Sequence, residues 1–359
     1  MRINAKSGMW LSLVIVAIIV GLWALPAVAQ KPAAEKTPAK APVTIADQLA
    51  QALQYYSDGD FDKGIAVGNK LLARTDLTKQ DSIAIFEAMS ILTYAKGQDY
   101  LDKSVGYLET MAKIGPCVLN LPRYLWPQAL RDRWYKITQA ANALTCSDQS
   151  ASDIKTIAIM QFDNYSVGKY QTELGMIAKG LADMFAIDFG KISDLKVVER
   201  DKINFVLKEI ELQQSGKVDE ATAVKVGKIL GAQYMVFGSI TQLDDKDTRM
   251  VVRVVKVETS EIIASVDKEG KPEYFNMEKG LVEELAKNLD VKLSDKAKKM
   301  LQEGGTSSGD ATSFYSVGLD YMDKYDYKNA YENFKKAYEA DPNFVEAKRK
   351  MDIYRPLAG

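Results

Sequence analysis

The sequence predicts an α/β domain of order βαβαβ, followed by a β-hairpin and a helix, with all-α helical hairpins on either side. Three observations predict it. Between Val197 and Ser239, two short apolar runs, Val197-Val198 and Tyr234-Met235-Val236-Phe237, are separated by helical patterns, which suggests parallel pairing in one α/β unit. Next, Arg249 to Val257 and Glu261 to Val266 flank Glu258-Thr259-Ser260, the pattern of a hairpin. Finally, apolar residues before residue 146 and after residue 310 recur at helical spacing.

The first 29 residues read as a signal peptide. Arg2 and Lys6 precede an apolar run from Trp10 to Leu25, and Ala27-Val28-Ala29 fits a cleavage site before Gln30. The apolar run is about the shortest that spans a bilayer, so an uncleaved anchor is the alternative. No cysteine stands near Ala29, which argues against a lipid anchor there. Export to a bacterial periplasm is the expectation. An oxidising compartment permits a disulfide between the only two cysteines, Cys117 and Cys146. On the chain-entropy model the bridge stabilises by roughly 3 to 4 kcal/mol; two free thiols are the alternative.

Residues 30–43, punctuated by Pro32, Pro38 and Pro42, form an extended linker. A helical domain over 44–150 follows. Leu49, Leu53 and Tyr56 mark one helix, Ile65, Leu71 and Leu72 the next, and Asp58-Gly59-Asp60 the turn. A second hairpin carries Leu92, Ala95, Ser104, Leu108 and Met111. Tyr124, Trp126 and Trp134 alternate with Arg123, Arg131 and Arg133, a pattern that can bind single-stranded nucleic acid. In a chain of net charge −1 it reads instead as a capping helix with snorkelling arginines.

The α/β domain occupies 151–303. Ile154 to Phe162 suits a buried strand, and Leu174, Ile177, Leu181, Phe185 and Phe189 mark one face of a helix. Strand Lys196 to Glu199 and a helix with Ile203, Val206 and Ile210 come next. Asp219 is placed to cap a helix that Gly231 ends, and Phe275 to Leu289 forms another. The charges Glu199-Arg200-Asp201 read as caps of the helix they open. Residues 304–310, rich in Gly and Ser, read as a flexible linker before a final helical segment, 311–359.

Composition excludes several functions. Apolar residues make up 47% and charged residues 26%, ordinary for a globular chain, and there is no histidine. That removes histidine-based triads and histidine-liganded metals. No Gly-x4-Gly-Lys-Ser/Thr loop supports a nucleotide, and no Lys/Arg block supports nucleic acid. No catalytic, cofactor or metal residue is assigned, and the chain is expected not to be an enzyme. A hydrolase using acidic residues alone would need two facing carboxylates in an enclosed pocket.

Two resemblances add to this reading. Gly180-Leu181-Ala182-Asp183-Met184, Val197-Val198-Glu199-Arg200-Asp201-Lys202, Gln214-Ser215-Gly216, Ala223 to Ala232 and Val236-Phe237-Gly238-Ser239 resemble the CsgG family, the curli production assembly and transport component. The resemblance covers about residues 153 to 290 and implies a periplasmic domain that assembles into rings and serves secretion across the outer membrane. Phe314, Val317, Gly318, Tyr321, Ala330, Phe334, Ala337 and Pro342 stand at the spacings of a tetratricopeptide (TPR) repeat. Gly59 to Ile65, with Gly64 as the small residue, looks like the turn of a degenerate one; a helical hairpin of another kind is the alternative. A single repeat cannot bury both faces, so it must dock on the N-terminal helices or on another subunit.

The chain departs from the pore-forming family members. A transmembrane strand needs about 9 to 11 residues. Only Thr241 to Thr248 separates two strands, and it carries Asp244, Asp245 and Asp247; Asp267 to Tyr274 is equally short. The expectation is a non-enzymatic envelope assembly or secretion-accessory protein without its own pore, able to form homo-oligomers and to associate peripherally with the outer membrane. Its TPR helices would bind an envelope protein, through a groove of Thr312, Tyr315, Leu319, Met322 and Asp323 if one exists. A periplasmic small-molecule-binding or sensing protein is the alternative.

Overall fold

Helix α1 (Ile45–Asp58) opens with a capping box: the Asp47 amide donates to the Thr44 hydroxyl at 3.1 Å, and the Thr44 amide donates to Asp47 Oδ2 at 3.0 Å. It ends at Gly59, whose φ of +80° suits a residue without a side chain. Helix α2 (Phe61–Leu72) folds back along it, and α3 (Lys79–Ala95), α4 (Leu101–Ile114) and α5 (Gln128–Ala140) extend the array. Gly64 and Gly68 bring α2 close to α3. A Cβ on Gly64 would lie 2.6 Å from Leu92 Cδ2, and one on Gly68 2.2 Å from Met89 Sδ. This computed structural model describes residues 44–117, 126–145, 154–210, 220–302 and 305–359. The signal peptide with its Ala29–Gln30 cleavage site, the 30–43 linker, Arg123, Tyr124, Cys146 and Asp219 lie outside the described residues.

The middle of the chain is a six-stranded mixed sheet: β1 (Lys155–Ile159), β2 (Asp163–Asn164), β3 (Leu195–Val197), β4 (Tyr234–Gln242), β5 (Thr248–Lys256) and β6 (Glu261–Gly270). The order is β3-β1-β4-β5-β6, with β2 also on β4. β1 runs parallel to β3 and to β4, and β4, β5 and β6 are antiparallel neighbours. The strands at the two ends of Val197–Ser239 are therefore parallel but not paired with each other. β1 lies between them because Ile157, Ala158, Ile159 and Met160 are buried on both faces, the requirement of an inner parallel strand.

Alternation along the strands divides the core. Ile157, Ile159, Val236, Ile240, Met250, Val252 and Val254 point to one face, packed with helices α6 (Lys169–Phe189) and α9 (Tyr274–Asn288). Ala158, Met160, Met235, Val255 and Val257 point to the other, packed with α7 (Arg200–Glu209), α8 (Glu220–Leu230) and the N-terminal helices. Gly227 lets α8 lie on the sheet, since a Cβ there would stand 2.7 Å from Val257 Cγ2; Gly231, at φ +66°, ends the helix.

Helices α10 (Asp295–Gln302), α11 (Gly309–Asp323), α12 (Tyr327–Ala340) and α13 (Val345–Tyr354) complete the chain. The Gly/Ser stretch before α11 is not a free linker. Thr306 is buried and donates to Asp341 Oδ2 at 2.6 Å, and the Ser308 hydroxyl caps α11. Residues Val43–Gly359 form one compact unit. Among the described residues no helix is long and apolar enough to cross a membrane. The β4–β5 ladder closes at Gln242 and Thr248, and Asp244 Oδ1 accepts from the Lys246 and Asp247 amides in the turn.

Candidate functional site

The residues Glu199-Arg200-Asp201 sit where β3 passes into α7, but they do not cap that helix. Glu199 occupies the N-cap position without a side-chain capping bond. All three side chains instead reach out of the α/β domain. Arg200 donates to Asp323 of α11 through both terminal nitrogens, at 2.9 and 2.7 Å, and its Nε stands 3.5 Å from Asp183 of α6. Asp201 pairs with Arg131 of α5 at 3.1 Å. The Tyr135 hydroxyl of α5 lies 2.8 Å from Glu199 Oε2 and 3.1 Å from Asp201 Oδ2.

These contacts belong to one charged seam joining the α/β domain to both helical arrays. Lys179 of α6 pairs with Asp320 and Asp323 at 3.1 and 2.8 Å. The Tyr315 hydroxyl of α11 donates to Asp183, and Lys350 of α13 stands 3.8 Å from it. Arg131 donates to Gln128 Oε1 at 3.0 Å and to the Tyr354 hydroxyl at 3.3 Å. Burial opposes charge on Asp183, but Lys350 and Arg200 overturn that and hold the carboxyl below its usual value. For Asp323, burial is likewise outweighed by Arg200 and Lys179. Both carboxylates stay ionised at neutral pH and are engaged by cations, so neither is suited to act as a general acid.

Gly180, from the same sequence motif as Asp183, completes the junction. A Cβ there would stand 2.0 Å from Ser316 Oγ, so α6 and α11 meet at nearly backbone distance. Around the seam the C-terminal helices contribute packed rings: Tyr327 stacks on Tyr354 at 5.3 Å, and Tyr315 lies tilted against Phe344 at 4.8 Å. Tyr327 also packs edge-on against Tyr94 of α3, 6.3 Å between ring centres, and its hydroxyl accepts from the Ala129 amide of α5. The final hairpin thus docks on the α/β domain and the N-terminal helices together.

This placement corrects three expectations. Thr312, Tyr315, Leu319 and Met322 are buried, and Asp323 is ion-paired; the residues expected to line a groove face α6 and the core. Arg131 does not snorkel. It is buried beside Asp201, while Trp126 and Trp134 pack edge to face inside the helical core. The Glu199 to Asp201 charges are ties between parts of the chain, not helix caps. Cys117 is disulfide-bonded, and Cys146 lies outside the described residues.

Sequence reasoning missed Lys179, Asp183, Arg131 and Tyr354 as members of one site. A signal existed for the first two: Lys179 and Asp183 are four residues apart on α6 and interrupt its apolar stretch between Ile177 and Phe185. Tyr354 carried none. A second charged group lies at the other end of α6, where Lys279 of α9 pairs with Asp188. Beside it Glu278 is fully buried; neither oxygen accepts a hydrogen bond, Lys279 Nζ stands 3.3 Å from Oε2, and burial pushes the carboxyl up to about 8. Among the described residues no group of three or more His, Cys, Asp or Glu is arranged to hold a metal.

Residues 138–252 match the family model described as curli production assembly/transport component CsgG. The match takes in the end of α5, β1 to β4 and most of β5, and so contains Asp183 and Glu199 to Asp201, while their partners Arg131, Tyr135, Asp323 and Lys350 lie outside it. No curated protein matches the chain. Similar solved structures include the LpoB C-terminal domain from Salmonella enterica, at 17% identity over 40% of this chain and 95% of that one, with a TM-score of 0.26. Another is a lipoprotein from Neisseria meningitidis, at 13% identity over 38% and 95%, with a TM-score of 0.26. A PelC dodecamer from Paraburkholderia phytofirmans matches at 11% identity over 40% and 94%, with a TM-score of 0.25. Likeness at these scores says nothing of function.

Proposed function

We propose that this chain is a non-enzymatic cell-envelope protein, accessory to assembly or secretion, whose CsgG-like domain serves docking or oligomerisation. The observation that carries this reading is the CsgG match over residues 138–252. The signal peptide expected over residues 1–29 supports a periplasmic mature chain, and the reading includes peripheral association with the outer membrane. The reading includes no pore of its own. Five residues, Leu243 to Asp247, join β4 to β5, and three, Lys271 to Glu273, join β6 to α9. Both are shorter than a transmembrane strand of about 9 residues.

The helical hairpins are read as TPR-type modules for binding an envelope protein. With the inner face of α11 covered by α6, partner binding falls to outer faces of the helices and not to Thr312, Tyr315, Leu319, Met322 and Asp323. The test has two parts. Light scattering on the purified mature chain should show a mass above the monomer, and crosslinking in intact cells should capture an envelope protein. A strict monomer at high concentration that also captures nothing in cells would overturn the reading.

A further inference from the structure

A cavity of about 490 Å³ opens beside the seam, where the end of α3, α5, α7 and the α11–α12 turn converge. Its volume lies in the range of small-molecule sites. Tyr94, Phe205, Tyr325 and Tyr327 supply aromatic surface, and Arg133 and Lys136 of α5 line it with exposed side chains. Among the described residues neither Arg133 nor Lys136 has an ion-pair partner. The other charges are largely satisfied. Asp132 accepts from the Tyr325 hydroxyl and from Gln128, and Lys208 stands 4.0 Å from it. Glu209 alone is set against Arg133 and Lys136.

A separate observation marks the cavity wall as built. Tyr325 has φ +61°, a conformation that is costly for a bulky side chain. The matching turn between α1 and α2 places Gly59 there, at φ +80°. The two turns share their bonds: the Asp60 amide donates to the Tyr55 carbonyl and the Asp326 amide to the Tyr321 carbonyl. Tyr325 does not offset the strain by burial, being 46% exposed. Its ring stands over the cavity, fixed by Asp132 at the hydroxyl and approached by Lys208 Nζ at 5.9 Å.

We propose that this cavity binds an organic anion with a flat aromatic body, the rings lying against Tyr94, Tyr325 and Phe205 and the acid group meeting Arg133 and Lys136. A planar guanidinium suits a carboxylate, sulfonate or phosphate, and aromatic walls suit a ring system. The probe is 1-anilinonaphthalene-8-sulfonate, a fluorescent aromatic sulfonate, titrated into the full chain. Saturable binding is expected. The double variant Arg133→Glu/Lys136→Glu should weaken it at least tenfold, whereas Lys70→Glu/Lys79→Glu, an equal charge change on α2 and α3, should leave it within twofold. Both pairs are exposed, and circular dichroism checks that each variant folds. Absence of saturable binding, or equal loss in both double variants, would overturn the proposal.

Discussion

The first and last helical hairpins of this chain share a design and differ in how they are covered. Both turn through a left-handed residue followed by Asp, at Gly59-Asp60 and Tyr325-Asp326, and both carry a small residue five positions after it, Gly64 and Ala330. The first is covered by its own neighbour in sequence. α3 lies on α2 through apolar contacts, with Leu92 over Gly64 and Met89 over Gly68. The last is covered by α6, more than 100 residues away, and there the contact is studded with charge: Lys179, Asp183 and Arg200 against Asp320, Asp323 and Lys350. A neighbour joined by a short turn has little freedom to choose a wrong register. A distant element has much more, and paired buried charges penalise every register but one.

That difference is broken most directly at Arg200. Arg200→Ala leaves Asp323 and Asp183 with less compensation in a buried site and should cost about 3 to 5 kcal/mol, read from urea unfolding. Replacing the pair together, Arg200→Met with Asp323→Leu, should cost clearly less, because no buried charge is orphaned at that position. Equal losses in the single and the double variant would show that the seam acts by shape alone.

Glu278 sharpens the comparison, since among the described residues it is a fully buried acid on the same face of the sheet whose oxygens accept no hydrogen bond, with Lys279 as its ion-pair neighbour at 3.3 Å. Its carboxyl, raised from 4.5 to about 8, binds a proton in the folded chain that the unfolded chain has released. Stability contributed by this group is therefore present below pH 4.5 and falls as pH rises toward 8. Glu278→Gln removes the effect. The unfolding free energy of the variant, read from urea melts, should exceed that of the parent by a margin that grows from pH 5 to pH 8, reaching on the order of 3 kcal/mol at the top. A constant margin across this range would show that Glu278 does not titrate there. By the opposite sign, Asp183 and Asp323 add stability above the ordinary carboxylate range and lose it on acidification.

Backbone approach gives a smaller effect. Gly180→Ala places a Cβ 2.0 Å from Ser316 Oγ, and Gly64→Ala places one 2.6 Å from Leu92 Cδ2 and 3.0 Å from the Ala52 carbonyl. Each should cost about 1 to 3 kcal/mol in thermal unfolding. Adding Ser316→Gly should recover most of the Gly180→Ala loss and none of the Gly64→Ala loss, which separates the two docking surfaces.

How far these features were legible in sequence follows from the range of the interactions. The strands β4, β5 and β6 and the helices α6 and α9 were readable because each is written in local periodicity. Gly231 was readable because a helix end is local too. The place of β1 between β3 and β4 was not, since strand order depends on which strand is buried on both faces. The site was least legible. Glu199, Arg200 and Asp201 stand together in sequence and invite a local reading as caps, yet their partners, Tyr135, Asp323 and Arg131, are 64 to 123 residues away. Thr312, Tyr315, Leu319 and Met322 carry the pattern of a helix face, and a pattern does not say what covers it.

The two turns allow the finest test. If Tyr325 is kept for its side chain, Tyr325→Gly should change stability little, because relief of about 1 kcal/mol of backbone strain offsets the lost bond to Asp132. At the matching position, Gly59→Ala gains no partner: nothing lies within 4 Å of its Cβ, and φ is +80°. It should cost about 1 kcal/mol. Thermal melts of the two variants measure both. A Tyr325→Gly loss well above 1 kcal/mol would mean that the tyrosine holds the hairpin against α5, as the seam does, and does more than wall the cavity. A loss near zero together with weaker binding of the aromatic sulfonate would separate the two hairpins by use, one turn made for folding and the other for a ligand.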